Sequence, residues 1–391
     1  MIQSDAPAVS IVRCEPYDSL EVVRPHVRRA LDLVGGLESL IMPGDTVLVK
    51  PNLVGAYHYE SGATTNPHVV EAVIELVREA KAGRIVIGEG SAVGTRTADA
   101  FEACGMNAIA ERHRCDIVDF THDDVLYAVN PAARKMRRIR LPRTFLEANV
   151  VINLPVMKTH DALDYSGGLK NMKGLLQTDD KKRFHKWGLA QSLVDLAHIA
   201  MPDITLMDST VAMEGPGPAF GDPVGLGLLL ASKDTVALDA VALEIMGFSL
   251  DEIEYVRMAG EAGLGCTDLE SIEVLGEPVA DVRRPFKRNA VSRETLAEYG
   301  IELLACDACS GCSNAVASLV TAYGKGGALD LLRDTVLMYG QGVEKLPEER
   351  TAGKRVIRIG SCTRGLVGYG HYYPGCPPFL YAMMDDLGLV E

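Results

Sequence analysis

Three short aliphatic runs constrain this chain most: Asp45–Pro51, Arg84–Gly88 and Val150–Pro155 are almost continuously apolar. A strand that is apolar on both faces must be covered on both, which is the habit of parallel sheets. Between the first two runs, His68–Ala82 has helical spacing and follows Asn66-Pro67, a cap residue and a first-turn proline. Strand, helix, strand at that rhythm is a βαβ unit with a right-handed crossover. The expected class is therefore α/β, a parallel (Rossmann-like) sheet with helices on both faces.

The flanking segments continue the pattern. Ala8–Cys14 reads as a strand, Leu20–Leu37 as a helix, and a further helix follows Glu89-Gly90-Ser91 as far as Ala103. Asp116–Phe120 is the next strand, and Leu126–Asn130 with Met136–Leu141 reads as a hairpin whose basic residues Arg134–Arg140 line a solvated edge. Trp187–Met201 has helical spacing; Ile204–Asp208 and Gly225–Ser232 read as strands. Asp234 caps a helix to Met246, with Asp239 facing the same interior junction, before a helix at Asp251–Gly263 and a strand at Ser271–Leu275. Arg283–Arg288 is the expected linker, so residues 1–288 form an α/β domain and 289–391 a small cluster-binding segment.

With 391 residues, 47% hydrophobic and 24% charged, the chain has globular composition. A formal charge of -14 speaks against a nucleic-acid partner. No apolar run reaches membrane-spanning length, and the first residues are polar, so no membrane partner and a cytoplasmic location are expected. Nine cysteines, an odd number, suit a reducing compartment.

Five of those cysteines, Cys306, Cys309, Cys312, Cys362 and Cys376, fall beside glycines and prolines. Thiolates separated by tight turns can grip one inorganic centre. Four would hold a [4Fe-4S] cluster; a closed zinc site is the rival. One ligand set is Cys306, Cys309 and Cys312 in ferredoxin spacing with Cys376. The other uses Cys362, at the end of an expected strand, Arg355–Ile359. Cys14, Cys104, Cys115 and Cys266 read as packing residues. His371, Tyr372 and Tyr373 lie close enough in sequence to Cys376 to donate hydrogen bonds to a cluster or to pack.

Cys-Ser-Gly-Cys-Ser at 309–313, Gly-Ser-Cys at 360–362 and Pro-Gly-Cys-Pro-Pro at 374–378 resemble the proximal-cluster motifs of nickel–iron hydrogenase small subunits. That resemblance implies Cys309, Cys312, Cys362 and Cys376 as the ligands, leaving Cys306 as the alternative.

Cations and amides gather after the expected strands: Lys50 and Asn52, then Lys158 and His160, then Lys170, Asn171 and Lys173, then His185. In parallel α/β sheets such loops converge beyond the carboxyl ends of the strands, where ligands bind. Lys50, Asn52, Lys170, Asn171 and Lys173 are expected to hold a small carboxylate or phosphate, with Lys158, His160 or His185 catalytic. Asp208 and Glu214 are open to proton transfer, cation binding or turn stabilisation. The ordered motifs Val-Lys-Pro-Asn, Pro-Val-Met-Lys-Thr-His, Gly-Gly-Leu-Lys-Asn-Met-Lys-Gly and Glu214–Pro218 resemble domain-of-unknown-function family 362 over about residues 8–275. The resemblance implies an iron–sulfur protein without assigning a reaction.

The expected function is an iron–sulfur oxidoreductase acting on a small anionic substrate. A ferredoxin-like donor supplies electrons, because no dinucleotide fingerprint is present; a flavin is compatible but not indicated. The alternatives are lyase, isomerase or sulfur-transfer chemistry at an open iron, and an electron-transfer subunit without catalysis.

Overall fold

The computed structural model of the chain describes residues 6–160, 163–288, 293–305, 308–341, 350–376, 378, 383 and 385–386. Contacts divide it into two units: Met1–Lys181 with Ala190–Lys287, and Lys182–Leu189 with Arg288–Glu391.

The strands of the first unit, in chain order, are Ala8–Arg13 (β1), Thr46–Pro51 (β2), Arg84–Glu89 (β3), Asp116–Asp119 (β4), Val125–Val129 (β5) and Arg138–Pro142 (β6). They continue with Val150–Leu154 (β7), Val156–His160 (β8), Asp164–Ser166 (β9), Ile204–Glu214 (β10), Asp222–Ser232 (β11) and Glu273–Gly276 (β12). The main sheet runs β12-β1-β11-β10-β7-β2-β3-β4, with β8 and β9 appended to β10.

Helices Leu20–Leu33 (α1), Pro67–Glu79 (α2), Thr97–Ala103 (α3) and Met106–His113 (α4) lie on one face. Val47 and Val49 of β2, Ile85 and Ile87 of β3, and Ile152 of β7 meet them there. Side chains alternate along a strand, so Leu48 and Lys50 point to the opposite face. Arg143–Glu147 (α5), Gly168–Asn171 (α6), Thr178–Trp187 (α7) and Leu189–Ala197 (α8) come next, then Thr235–Met246 (α9) and Glu254–Glu261 (α10). Of these, α9 packs against β1, β10 and β11, while α6 packs against β7. Asp234 caps α9, accepting from the Val236 and Ala237 amides at 2.9 Å each. Asn66 likewise accepts from the His68 amide at the start of α2.

The fold is mixed α/β with a largely parallel central sheet, and several expectations change. β11 runs antiparallel to both β1 and β10. Residues 215–221 are too few for a parallel crossover, so β10 turns back as a hairpin. Of Pro155–His160, expected as a loop, Val156–His160 is strand β8, buried throughout and parallel to β10. The helix after Glu89 begins only at Thr97. One helix over Trp187–Met201 is replaced by α7 and α8, parted at Gly188, whose φ of 100° is left-handed.

In the second unit the strands Glu302–Ala305 (β13), Thr335–Tyr339 (β14), Arg355–Ile359 (β15) and His371–Tyr373 (β16) form a sheet in that order. Every neighbouring pair is parallel. Val279–Val282 (α11) is the last helix of the first unit; in the second, after Arg293–Glu298 (α12), helix Ser310–Lys325 (α13) makes the crossover from β13 to β14. Val316, Leu319, Val320 and Tyr323 of α13 share a core with Leu337, Ile357, Ile359 and Tyr373.

Candidate functional site

Register builds the site of the first unit. Lys50 of β2 is level with Asn153 of β7, and Asn153 with Thr205 of β10. The three side chains thus stand in a row across adjacent strands. A polar chain continues from this row. Lys158 Nζ donates to Asn52 Oδ1 at 2.6 Å, and Asn52 Nδ2 donates to Asn171 Oδ1 at 3.0 Å. Asn171 Nδ2 donates to Asn153 Oδ1 at 2.8 Å, and Asn153 Nδ2 to the Gly168 carbonyl and Thr205 Oγ1 at 3.0 and 3.3 Å. Thr205 and Thr235 hydroxyls meet at 2.8 Å. Buried amides linked donor to acceptor fix one another's orientation.

Lys50 is fully buried and paired with Glu89, Nζ to Oε2 at 2.8 Å. Burial lowers its pKa, and the Glu89 carboxylate opposes that shift. Glu89 also accepts from the Gly90 amide at 2.7 Å. Gly174 closes over the pair: a Cβ there would lie 2.0 Å from Glu89 Oε1 and 2.6 Å from Lys50 Nζ. The charge of Lys50 is therefore answered within the fold by Glu89. Lys181, buried beside them, donates to the Gly90 and Ser91 carbonyls at 2.7 and 2.8 Å. Burial brings its pKa down to about 8, against the pull of Glu89.

Lys158 differs from Lys50. It is 1% exposed, and burial, then the charge of Lys170, hold its pKa well below the ordinary lysine range, with Glu89 opposing. Its hydrogen-bond acceptors among the described residues are Asn52 Oδ1 and the Ala63 carbonyl at 2.7 Å, the number that a neutral amine's two N–H groups satisfy. Lys170 and Lys173 are half-buried on the α6 turn and the one after it. His160 is buried at the end of β8, level with Asp164 of β9. His185 lies on α7 in the stretch that belongs to the second unit.

Asp239 of α9 positions the α6 turn. Its carboxylate accepts from the Tyr165 hydroxyl at 2.8 Å, the Gly168 amide at 2.6 Å and the Leu169 amide at 3.0 Å. Burial raises its pKa from 3.8 to about 6, although these donors pull the other way. The folded chain holds this proton more tightly than the unfolded one. Its contribution to stability is thus fullest below the unfolded pKa and is lost as pH rises towards about 6, a difference of roughly 3 kcal/mol. Urea unfolding of the native chain between these pH values is expected to show that decline, and Asp239→Asn to flatten it. Equal slopes in the two proteins would remove the assignment.

Asp208 accepts from the Asn66 amide at 2.7 Å and from the Thr210 amide and hydroxyl, and burial raises its pKa. Glu214 receives Arg284 through both guanidinium nitrogens and the Lys287 amide. Burial would raise its pKa, but these partners bring it to about 2. Glu214 therefore ties the segment before residue 288 to β10. Sequence reasoning singled out neither Glu89, Lys181 nor Asn153. The available signal for Glu89 was an acid at a buried strand end beside a neighbouring strand that ends in lysine.

In the second unit Cys309 follows β13 at the N-cap of α13, and Cys312 is buried in that helix's first turn. Cys362 lies in the turn after β15, and Cys376 in the turn after β16. All four thus sit beyond the carboxyl ends of parallel strands. The Ser361 amide donates to the Gly375 carbonyl at 2.8 Å, joining the last two loops. Cys312 and the backbone amides of Gly311 and Cys312 hydrogen-bond to the Cys309 sulfur and lower its pKa. The Cys312 thiol is raised by that bond, by burial, and by the charges of Cys309, Cys362 and Cys376. Burial and then the charges of Cys376 and Cys309 raise Cys362, with Lys186 opposing.

Gly360 makes room for Cys312. Its φ is +89°, and a Cβ there would stand 2.5 Å from Cys312 Sγ. Among the described residues, no three Cys, His, Asp or Glu side chains converge tightly enough to grip a single metal ion. Cys306 lies outside the described residues. Cys14 and Cys104 are buried, and Cys115 and Cys266 half-buried, all as free thiols.

A layered α/β unit with a lysine–amide site, and a separate four-thiol sheet, define a two-unit protein of the α/β class. The chain belongs to the DUF362 family (domain of unknown function), whose model matches residues 47–244. It is 33% identical over 264 residues to the thylakoid-associated protein sll1697 of Synechocystis sp. (strain ATCC 27184 / PCC 6803 / Kazusa), covering 66% of this chain and 79% of that protein. Among solved structures, the lactate racemase apoprotein of Thermoanaerobacterium thermosaccharolyticum gives a TM-score of 0.43 at 11% identity, covering 94% of this chain and 87% of that one. A likeness of that degree decides nothing about chemistry. No described helix is long and apolar enough to cross a membrane.

Proposed function

We propose that this chain is an iron–sulfur oxidoreductase acting on a small anionic organic substrate, with Cys309, Cys312, Cys362 and Cys376 as ligands of a [4Fe-4S] cluster. The observation that carries the reading is the placement of four thiols beyond the carboxyl ends of parallel strands of one sheet, with Gly360 leaving room for Cys312. Soft sulfur donors with no carboxylate or imidazole among them suit an iron–sulfur centre. A cubane spreads its thiolates over separate irons, so they need not meet at one point as zinc ligands must. When bound, the cluster supplies one-electron redox chemistry, with a ferredoxin-like protein as donor.

In the first unit, Lys170 and Lys173 hold the substrate's anionic group, and Asn52 orients Lys158. Lys158, with its pKa depressed, accepts or returns a proton at Nζ, and His160 is the second proton carrier. The cyanobacterial relative is described as thylakoid-associated. Peripheral contact with a membrane surface is therefore part of the proposal for this chain.

The test is electron paramagnetic resonance of the anaerobically purified, reduced protein. A half-integer-spin signal unchanged by substrate, with turnover on a chemical reductant, is expected. Cys376 is the exposed member of the four, which favours a second reading: three thiolates bind and one position stays open for Lewis-acid chemistry. A signal altered by substrate would select that reading. A protein silent after reduction would end both.

A further inference from the structure

The β5–β6 ribbon of the first unit carries an exposed surface that the proposed chemistry leaves unused. Tyr127 is 62% exposed, Val129 56% and Leu126 44%, all on β5. β5 contains no charged residue, proline or bulge, the usual protections of a free edge. One strand behind it, on β6 and the turn, stand Arg134, Lys135, Arg137 and Arg138. Among the described residues none of these four has a carboxylate partner; Arg138 lies over the Tyr127 ring at 4.5 Å. Arg140, in contrast, pairs with Asp180, and Arg143 with Asp124 and Glu147. The whole chain carries -14, so this cationic patch runs against its overall charge.

The display is rigid. Asp195, 1% exposed, accepts from the backbone amides of Arg134, Lys135 and Met136 at 3.0, 2.7 and 2.8 Å. The Asn130 side chain donates to the Asp195 carbonyl at 2.7 Å, pinning the other end of the turn. Four bonds to one buried residue hold the turn while its basic side chains project outwards.

We propose that the ribbon docks on an anionic lipid surface, with Leu126, Tyr127 and Val129 entering the interface and the cations of β6 and the turn meeting phosphate headgroups. This rests on the peripheral membrane contact proposed above and gives it a surface; it is independent of the cluster. The order of layers favours lipid over an acidic peptide. A peptide strand added to β5 would meet Val, Leu, Tyr, Ala and Val, with the cations a full strand spacing of about 4.8 Å further back. A bilayer presents its apolar layer first and its anionic layer behind, matching the ribbon from the edge inwards. Tyrosine is at home at that boundary, and shallow entry leaves the free backbone groups of β5 at headgroup level, within reach of water.

The test is co-sedimentation of the full chain with vesicles of phosphatidylcholine alone or mixed with phosphatidylglycerol. Binding is expected only to the mixed vesicles and is expected to weaken with added salt. Arg137→Gln with Arg138→Gln is expected to weaken it roughly 30-fold, at about 1 kcal/mol per surface cation. Arg29→Gln with Arg96→Gln, the same loss of charge elsewhere on the unit, is expected to leave it within about twofold. Leu126→Ser with Tyr127→Ser is expected to reduce binding, with an unchanged melting temperature showing that the ribbon still folds. If both Arg pairs weaken binding equally, membrane contact stands and this surface for it falls. No binding to either vesicle overturns both. A dimer lost on Tyr127→Ser, without vesicle binding, would assign the ribbon to a second copy of the chain.

Discussion

Replacing Lys50 by methionine is expected to lower the stability of the first unit by about 3–5 kcal/mol, because it leaves the Glu89 carboxylate buried without its cation. Both members are nearly inaccessible, at 0% and 3% side-chain exposure, and Gly174 seals them. Water cannot replace the lost partner without opening that contact. Glu89→Leu alone should destabilise for the mirror reason. The double replacement, Lys50→Met with Glu89→Leu, should recover most of the loss, since an apolar pair of similar volume needs no compensation. Urea midpoints of the four proteins measure the coupling. Additive losses would mean that the pair is not a unit.

The second large effect is expected at Gly360. Alanine there would put a Cβ 2.5 Å from Cys312 Sγ and hold it at φ +89°. The strained backbone alone costs of order 1–3 kcal/mol, and the thiol must move as well. Gly360→Ala should therefore purify with most of its iron missing, as should Cys312→Ala, which removes a proposed ligand. Cys306→Ser should keep full iron. Loss of iron in Cys306→Ser with retention in Cys362→Ser would select the ferredoxin-style ligand set instead.

Continuous apolar runs made much of this fold legible. β2, β3 and β7 lie within a residue or so of their sequence bounds, and β15 coincides with Arg355–Ile359. The antiparallel turn-back of β11 was not legible, because Gly225–Ser232 is as apolar as any parallel strand. Only the short connection after Glu214 signals the reversal. β8 was missed because Lys158, Thr159 and His160 look like loop residues, yet all three are buried in a strand. The site was legible as a list of cations and amides but not as a circuit. Lys50 is neutralised by Glu89, whereas among the described residues Lys158 reaches only amide and carbonyl oxygens, a distinction set by register and by side chains arriving from distant segments. The role of Asp239 was equally hidden, since its donors lie some 70 residues earlier in the chain.

The central claim is that the four thiols of the second unit hold iron and sulfide. Iron, acid-labile sulfide and zinc, counted per chain after anaerobic purification, test it most directly. The account predicts iron and sulfide in equal amounts approaching a full cubane, with negligible zinc. One zinc per chain, or no metal at all, would contradict it.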